Sequence, residues 1–253
     1  MNIRTYLERI GYDKAVRLDI ESLFGLHRTQ LLTVPFENLD IHAGVSIRLT
    51  ERALWDKIIV RRRGGFCYEL NGMFAWLLKQ IGFEVTYLNG RVYNAEGKRG
   101  REFDHMTLLV KLPADGQYWL ADVGFGDSFF EPLRFGYDGL QAQGLRAYRL
   151  EAVADGYDLL RRNFNGEWSR QYFFDLQPCV FPADYESACL HHQTSPQSSF
   201  TRGRLVSLAT PEGRLTLDSN NLSITTNGKR IKHKLKSETE FQELLSAYFG
   251  IEL

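Results

Sequence analysis

The chain has 253 residues, of which 43% are hydrophobic and 25% charged. That composition fits a globular protein of one large domain or two to three small ones, and it excludes a disordered or collagen-like chain. Lys and Arg number 31, as do Asp and Glu, so no overall charge draws the protein to nucleic acid or anionic lipid, and any anionic ligand must be met locally.

From Asn2 to about Phe83 the apolar residues recur at helical spacing: Ile3, Leu7 and Ile10, then Leu18, Leu23 and Leu26, then Leu54, Ile58 and Ile59. The last helix of this part is predicted over Phe66–Gln80, with Leu70, Met73, Phe74 and Leu77 on its apolar face. Gly64 and Gly65 stand directly in front, where the chain has to turn tightly. Cys67 therefore falls at a helix N-terminus. After Gly82 the pattern changes to alternation, in FEVTYLNGRVYN, HMTLLVKL and QYWLADVGF, separated by AEGKRG and PADG turn chemistry. Alternation continues through RAYRLEAV, YDLLRRNF and EWSRQYFFDL with DG and NG hairpin signals, so residues 83–178 read as one barrel-like or sandwich-like β unit. The remainder combines a helix at DYESACLHH, a polar QTSPQSS stretch, strands at RLVSLAT, GRLTL and LSITT, and a closing helix SETEFQELLSAYF that opens as a capping box. It reads as a smaller α/β unit. With no internal repeat and no linker-like tract, units 1–82, 83–178 and 179–253 are expected to pack as one body.

Cys67, Cys179 and Cys189 are too few and too odd in number for a disulfide framework, which points to a reducing compartment, by default the cytoplasm. The first twenty residues are charged every few positions and lack the apolar stretch of a secretory signal. No run of about 18 apolar residues occurs that would span a membrane. Metal binding is not expected, because Cys179, Cys189, His191 and His192 form no C-x-x-C or H-E-x-x-H pattern. The G-x-G of VGFGDS lacks the further residues of a Rossmann turn or a P-loop.

Cys67 follows three arginines and two glycines in RRRGGFCYELN. A helix N-terminus and nearby cations both favour thiolate over thiol, so the setting suits a nucleophile. Such a cysteine needs a base and a group to orient it. His105 opens the run HMTLLVKL and Asp122 closes the run QYWLAD; if the two runs pair as a hairpin, both side chains lie near one end of adjacent strands.

VPFENLDI at Val34–Ile41, RGGFCYELN at Arg63–Asn71, His105 before an apolar strand, and ADVGFG at Ala121–Gly126 occur in that order. With them the chain resembles the arylamine N-acetyltransferase family along nearly its full length. The resemblance implies an α+β fold with an N-terminal helical bundle, a central β-barrel and a C-terminal α/β lid reached through a helical connection, built on a papain-like cysteine core. It implies Cys67 as the acyl-accepting nucleophile, His105 as its base and Asp122 as the carboxylate that orients the imidazole. Phe36, Phe125 and Gly126 are implied at the acceptor pocket, and Phe200 facing the pantetheine arm. The implied reaction passes acetyl from acetyl-CoA, a donor substrate and not a resident cofactor, through a Cys67 thioester to an arylamine, hydrazine or N-hydroxyarylamine. A cysteine hydrolase or a transglutaminase-like acyl transferase could use the same triad. Neither a nucleic acid nor a membrane partner is implied, and oligomeric state is open. Arg63 is expected in a structural ion pair with Glu37 or Glu69. The basic segment NGKRIKHKLK could meet CoA phosphates or be a strand edge guarded by lysines.

Overall fold

The computed structural model describes residues 1–127 and 129–252. The chain opens with α1 (Ile3–Ile10), capped by the Asn2 side chain, and α2 (Ile20–Thr33), capped by Asp19. Next come β1 (Phe36–Glu37), α3 (Leu39–His42) and α4 (Glu51–Trp55), which runs on into a π-helical turn at Asp56–Val60. The helical part closes with α5 (Cys67–Ile81), which stops at Gly82 in a left-handed conformation, φ 111°. Residues Cys67 to Leu78 of α5 are all buried, so this helix is apolar around most of its circumference, as a central helix must be. Phe74 and Leu77 share one core with Met106, Leu108 and Val110 of the neighbouring strand.

The strands that follow are β2 (Glu84–Val92), β3 (His105–Lys111), β4 (Tyr118–Ala121), β5 (Leu133–Arg134), β6 (Gln141–Gln143), β7 (Arg146–Val153), β8 (Gly156–Arg162) and β9 (Trp168–Phe174). They form an antiparallel sheet of order β5-β4-β3-β2-β9-β8-β7-β6 around Leu88, Leu120, Phe129, Leu133, Tyr172 and Phe174. Side-chain amides join its two edges into a nearly closed barrel. Arg134 N–H donates to Gln141 Oε1 at 2.7 Å and Gln141 Nε2 donates to the Arg134 carbonyl at 3.1 Å, a substitute for a backbone ladder.

The last part comprises α6 (Glu186–Thr194), β10 (Leu205–Thr210), β11 (Gly213–Asp218), β12 (Asn221–Thr226), β13 (Lys229–Lys234) and α7 (Glu238–Phe249). Here β1 joins the sheet β1-β10-β11-β12-β13. Phe36 and Glu37 were expected within the helical part and are instead an edge strand of the lid. Pro35 ends helical geometry there, and Asn38 N–H finds the Leu205 carbonyl while Glu37 N–H finds that of Gly65. On the outer face of the lid sheet Val206, Leu217 and Leu222 pack on Phe241, Leu245 and Phe249 of α7.

Candidate active site

The N-terminus of α5 is held from below by buried charge. Phe66 has no acceptor side chain with which to cap the helix, so the Glu69 carboxylate takes the Phe66 N–H at 3.0 Å. The same Glu69 meets Lys57 Nζ at 2.9 Å, and Lys57 also reaches Asp40 at 2.9 Å and Glu37 at 3.7 Å. Arg63 pairs with Glu37 at 2.9 Å and with Asp40 at 3.1 Å. Burial works against the Lys57 charge, but Glu69, Glu37 and Asp40 outweigh it and hold its pKa above the ordinary range. Burial pushes Glu69 up to about 7 against the pull of Lys57. Removing one partner from such a network leaves a buried charge unpaired, at a cost of about 3–5 kcal/mol. The two glycines permit the close approach above this network: a Cβ on Gly64 would lie 1.9 Å from the Pro35 carbonyl oxygen, and one on Gly65 would lie 2.7 Å from Glu69.

The arginine run does not flank the sulfur as expected. Arg63 is turned to Glu37 and Asp40, and Arg61 and Arg62 are exposed. Burial pushes the Cys67 thiol well above its ordinary pKa, the carboxylates of Asp104 and Asp122 push the same way, and the Met106 backbone opposes them. Burial thus disfavours the thiolate, and ionising this sulfur calls for a base in the cavity it lines.

That base is placed by the hairpin. Strands β3 and β4 pair with Leu108 opposite Ala121, which brings Asp122, one residue past β4, to the His105 end of β3. His105 Nε2 donates to Asp122 Oδ2 at 2.7 Å, which leaves Nδ1 as the ring nitrogen able to take a proton. The second carboxylate oxygen accepts from Asn71 Nδ2 and from the Gly124 N–H, both at 2.9 Å. Burial would raise the Asp122 pKa, but His105 and these donors hold it below the ordinary carboxylate range. His27 Nε2 accepts the Asp122 N–H at 3.0 Å while its Nδ1 donates to the Phe130 carbonyl at 2.9 Å, so His27 is neutral and its tautomer is fixed. Burial lowers the His27 pKa to about 4. A Cβ on Gly124 would lie 2.8 Å from Cys67 Cα, so glycine alone lets the strand end lie against the start of α5.

Cys67 and His105 open into one cavity of about 520 Å³, which Phe36, Phe125, Gly126 and Phe200 also line. The Phe125 ring packs edge-on against His105 with centroids 5.2 Å apart, and Phe36 and Phe200 face each other at 6.0 Å. Gly126 adopts φ 82° with room for a Cβ only 3.7 Å from the Phe36 ring. Asp122 is fully buried behind His105 and does not line the cavity. Asn71, His27 and Gly124 were not singled out from sequence. Asn71 carried one faint signal, its position four residues after Cys67 on the same helix face. His192 also lines the cavity, 3.5 Å from Asp104 and 3.2 Å from Ser198 Oγ. Among the described residues no group of His, Cys, Asp and Glu is placed to hold a metal ion, and no helix is long and apolar enough to cross a membrane.

A cysteine at the start of a buried central helix, sharing a cavity with the histidine of a His–Asp pair at the edge of a barrel, fits a papain-like cysteine fold. The N-acetyltransferase family model matches residues 19–253. Arylamine N-acetyltransferase 1 of Homo sapiens is 34% identical over 278 residues, covering 100% of this chain and 95% of the relative. The arylamine N-acetyltransferase structure from M. smegmatis superposes with a TM-score of 0.93 at 32% identity, covering 100% of this chain and 93% of that one. The Mycobacterium marinum enzyme in complex with CoA gives 0.92 at 31% identity, covering 99% and 93%. The chain belongs to the arylamine N-acetyltransferase family, whose members are acetyltransferase enzymes.

Proposed function

We propose that this protein transfers an acetyl group from acetyl-CoA to the nitrogen of an arylamine, a hydrazine or an N-hydroxyarylamine, in two half-reactions through a thioester on Cys67. The observation that carries this is the 2.7 Å His105–Asp122 pair beside the cavity into which Cys67 opens. In the first half-reaction His105 Nδ1 takes the Cys67 proton as the sulfur attacks the acetyl carbonyl. The bond from that carbonyl to the CoA sulfur breaks, and the imidazolium returns the proton to the leaving thiolate. One thioester replaces another, so this step is close to balanced in energy. In the second half-reaction the neutral aromatic amine attacks the Cys67 thioester, His105 takes the N–H proton, and that proton goes to the departing Cys67 sulfur. Asp122 stays ionised and stabilises the imidazolium present in between. Developing negative charge on the carbonyl oxygen forms at the positive end of α5.

The aromatic walls at Phe36 and Phe125 suit a flat acceptor ring, and Phe200, which lines the same cavity, is assigned to the donor's pantetheine arm. In this reading residues 1–82 supply the nucleophile, 83–178 the imidazole and carboxylate, and 179–253 the helical connection and lid. Cys67, Cys179 and Cys189 are all unpaired, which fits a reducing compartment such as the cytoplasm. The relative that binds CoA and the relatives named for arylamine acetylation favour acetyl transfer over the hydrolase and transglutaminase-like alternatives. The test is steady-state kinetics with acetyl-CoA and an aromatic amine. Parallel lines in double-reciprocal plots are expected, and intersecting lines would contradict a Cys67 thioester between the two half-reactions.

A further inference from the structure

The segment that begins with the carboxylate of the His–Asp pair, Asp122, ends in a second carboxylate, Asp127. Asp122 fixes the first end through His105, Asn71 and the Gly124 N–H. Asp127 fixes the last end by charge drawn from three strands. Arg146 on β7 donates Nη1 and Nη2 to the two Asp127 oxygens at 2.7 and 3.2 Å, Arg161 on β8 donates Nη1 to Oδ2 at 2.7 Å, and Arg214 on β11 donates Nε to Oδ1 at 3.0 Å. Arg161 Nη1 also reaches the Asp127 carbonyl at 3.3 Å. Strands β7 and β8 belong to the barrel and β11 to the lid, so one side chain ties both to the segment that follows β4. Burial works against the Asp127 charge, but Arg214, Arg146 and Arg161 outweigh it and hold the carboxyl well below the ordinary range.

Between the two anchors, Phe125 packs edge-on against His105 and, with centroids 5.0 Å apart, against Tyr172. The far side of the Asp127 cluster is hollow as well. Asp127, Arg146 and Arg214 line both the cavity of Cys67 and a second cavity of about 320 Å³. A wall with space on both sides has few neighbours to pack against, so its ion pairs hold it in place. Without the one negative charge, three guanidinium groups would repel one another and the wall would part.

We propose that Asp127 is a positioning residue that clasps the lid sheet to the barrel and keeps Phe125 on His105, so that this wall of the Cys67 cavity stays closed during the reaction. Its effect on rate rests on the acyl-transfer reading.

The test uses the full chain with Asp127→Asn, Asp127→Glu and Arg214→Gln. Arg214→Gln frees the lid while Arg146 and Arg161 still hold Asp127, which keeps the test open if Asp127→Asn fails to fold. Amide hydrogen exchange is followed over β11 and, for comparison, over β3. About tenfold faster exchange confined to β11 is expected in Asp127→Asn and Arg214→Gln. A rise shared equally by β3 would mean lost global stability and would overturn the clasp, as would exchange unchanged from wild type. Acylation of Cys67 by acetyl-CoA is expected to fall about 10- to 100-fold in Asp127→Asn, with Asp127→Glu retaining more of the rate because it keeps the charge. A role of shape alone predicts the reverse order, since Asn keeps the volume of Asp and Glu does not, and that order would contradict the proposal. Should wild type take no acetyl from acetyl-CoA, the acyl-transfer reading fails and amide exchange alone decides: the β11 effect supports the clasp, and its absence overturns it.

Discussion

Asn71 donates its side-chain amide to Asp122 Oδ1 at 2.9 Å and its amide oxygen accepts the Val123 N–H at 2.9 Å. One residue on the nucleophile's helix thus fixes the strand end that carries the carboxylate of the His–Asp pair. The same amide reaches the Met106 carbonyl at 2.6 Å, next to His105. Cys67, His105 and Asp122 therefore keep a common register although they come from a helix and two strands.

Replacing Asn71 by Ala removes a charge-assisted donor from Asp122 and is expected to slow Cys67 acylation about 10- to 100-fold. A positioning role predicts more than lost stability. With one donor gone the Asp122 pKa rises, so the acid limb of the acylation profile moves to higher pH. An acid limb that stays in place would remove Asn71 from the mechanism.

Asp122→Asn is expected to cost about 10³- to 10⁴-fold in acylation. The amide nitrogen of the variant would donate to His105 Nε2, forcing the imidazole proton onto Nδ1, where the Cys67 proton has to go. Iodoacetamide labelling of Cys67 at pH 7 should slow in parallel, since burial raises the pKa of this thiol and a base is needed to ionise it. Rapid labelling in the variant would show that Cys67 ionises without its base.

His27 gives a pH dependence of stability. Its folded pKa of about 4 lies below the ordinary value of 6.5. Between those values the unfolded chain binds more protons, so the contribution of neutral His27 is complete above 6.5 and is lost as pH falls through about 4. At full amplitude it is on the order of 3 kcal/mol. Urea unfolding of wild type and His27→Gln should differ most near pH 7 and converge in acid. A constant difference would contradict a neutral buried imidazole.

Glu69 has the opposite sign. Its folded pKa of about 7 lies above the ordinary 4.5, so the folded state holds the extra proton, and that stabilising contribution declines as pH rises through about 7. Wild type should therefore lose stability relative to Glu69→Gln between pH 5 and about 8. A relative gain over that range would mean that Lys57 holds Glu69 ionised throughout.

Features set by local pattern were legible in the sequence. Gly64, Gly65 and the apolar spacing after them marked the start of α5 at Cys67, and the hairpin pattern brought His105 to Asp122. Of the open alternatives, the Arg63 ion pair falls on Glu37 and not on Glu69, and the basic segment forms the exposed edge strand β13. What could not be read depends on partners far along the chain. Strand β1 has only two residues, and it is a strand because Gly65 and β10 satisfy its backbone. His27 lies 95 positions from the Asp122 N–H it accepts. The setting of Cys67 was only partly legible because an arginine run in sequence says nothing of where each guanidinium turns: Glu37 and Asp40 draw Arg63 away, and burial, with the carboxylates of Asp104 and Asp122, raises the thiol pKa.

The most direct test of the account is intact-protein mass spectrometry after mixing with acetyl-CoA, followed by an aromatic amine, with Cys67→Ala as control. A gain of one acetyl group on Cys67, absent in the variant and discharged by the amine, is the expected result. An unmodified protein whose Cys67 is still rapidly alkylated would contradict acetyl-CoA as the donor and turn the same Cys–His–Asp geometry toward hydrolysis or another acyl donor.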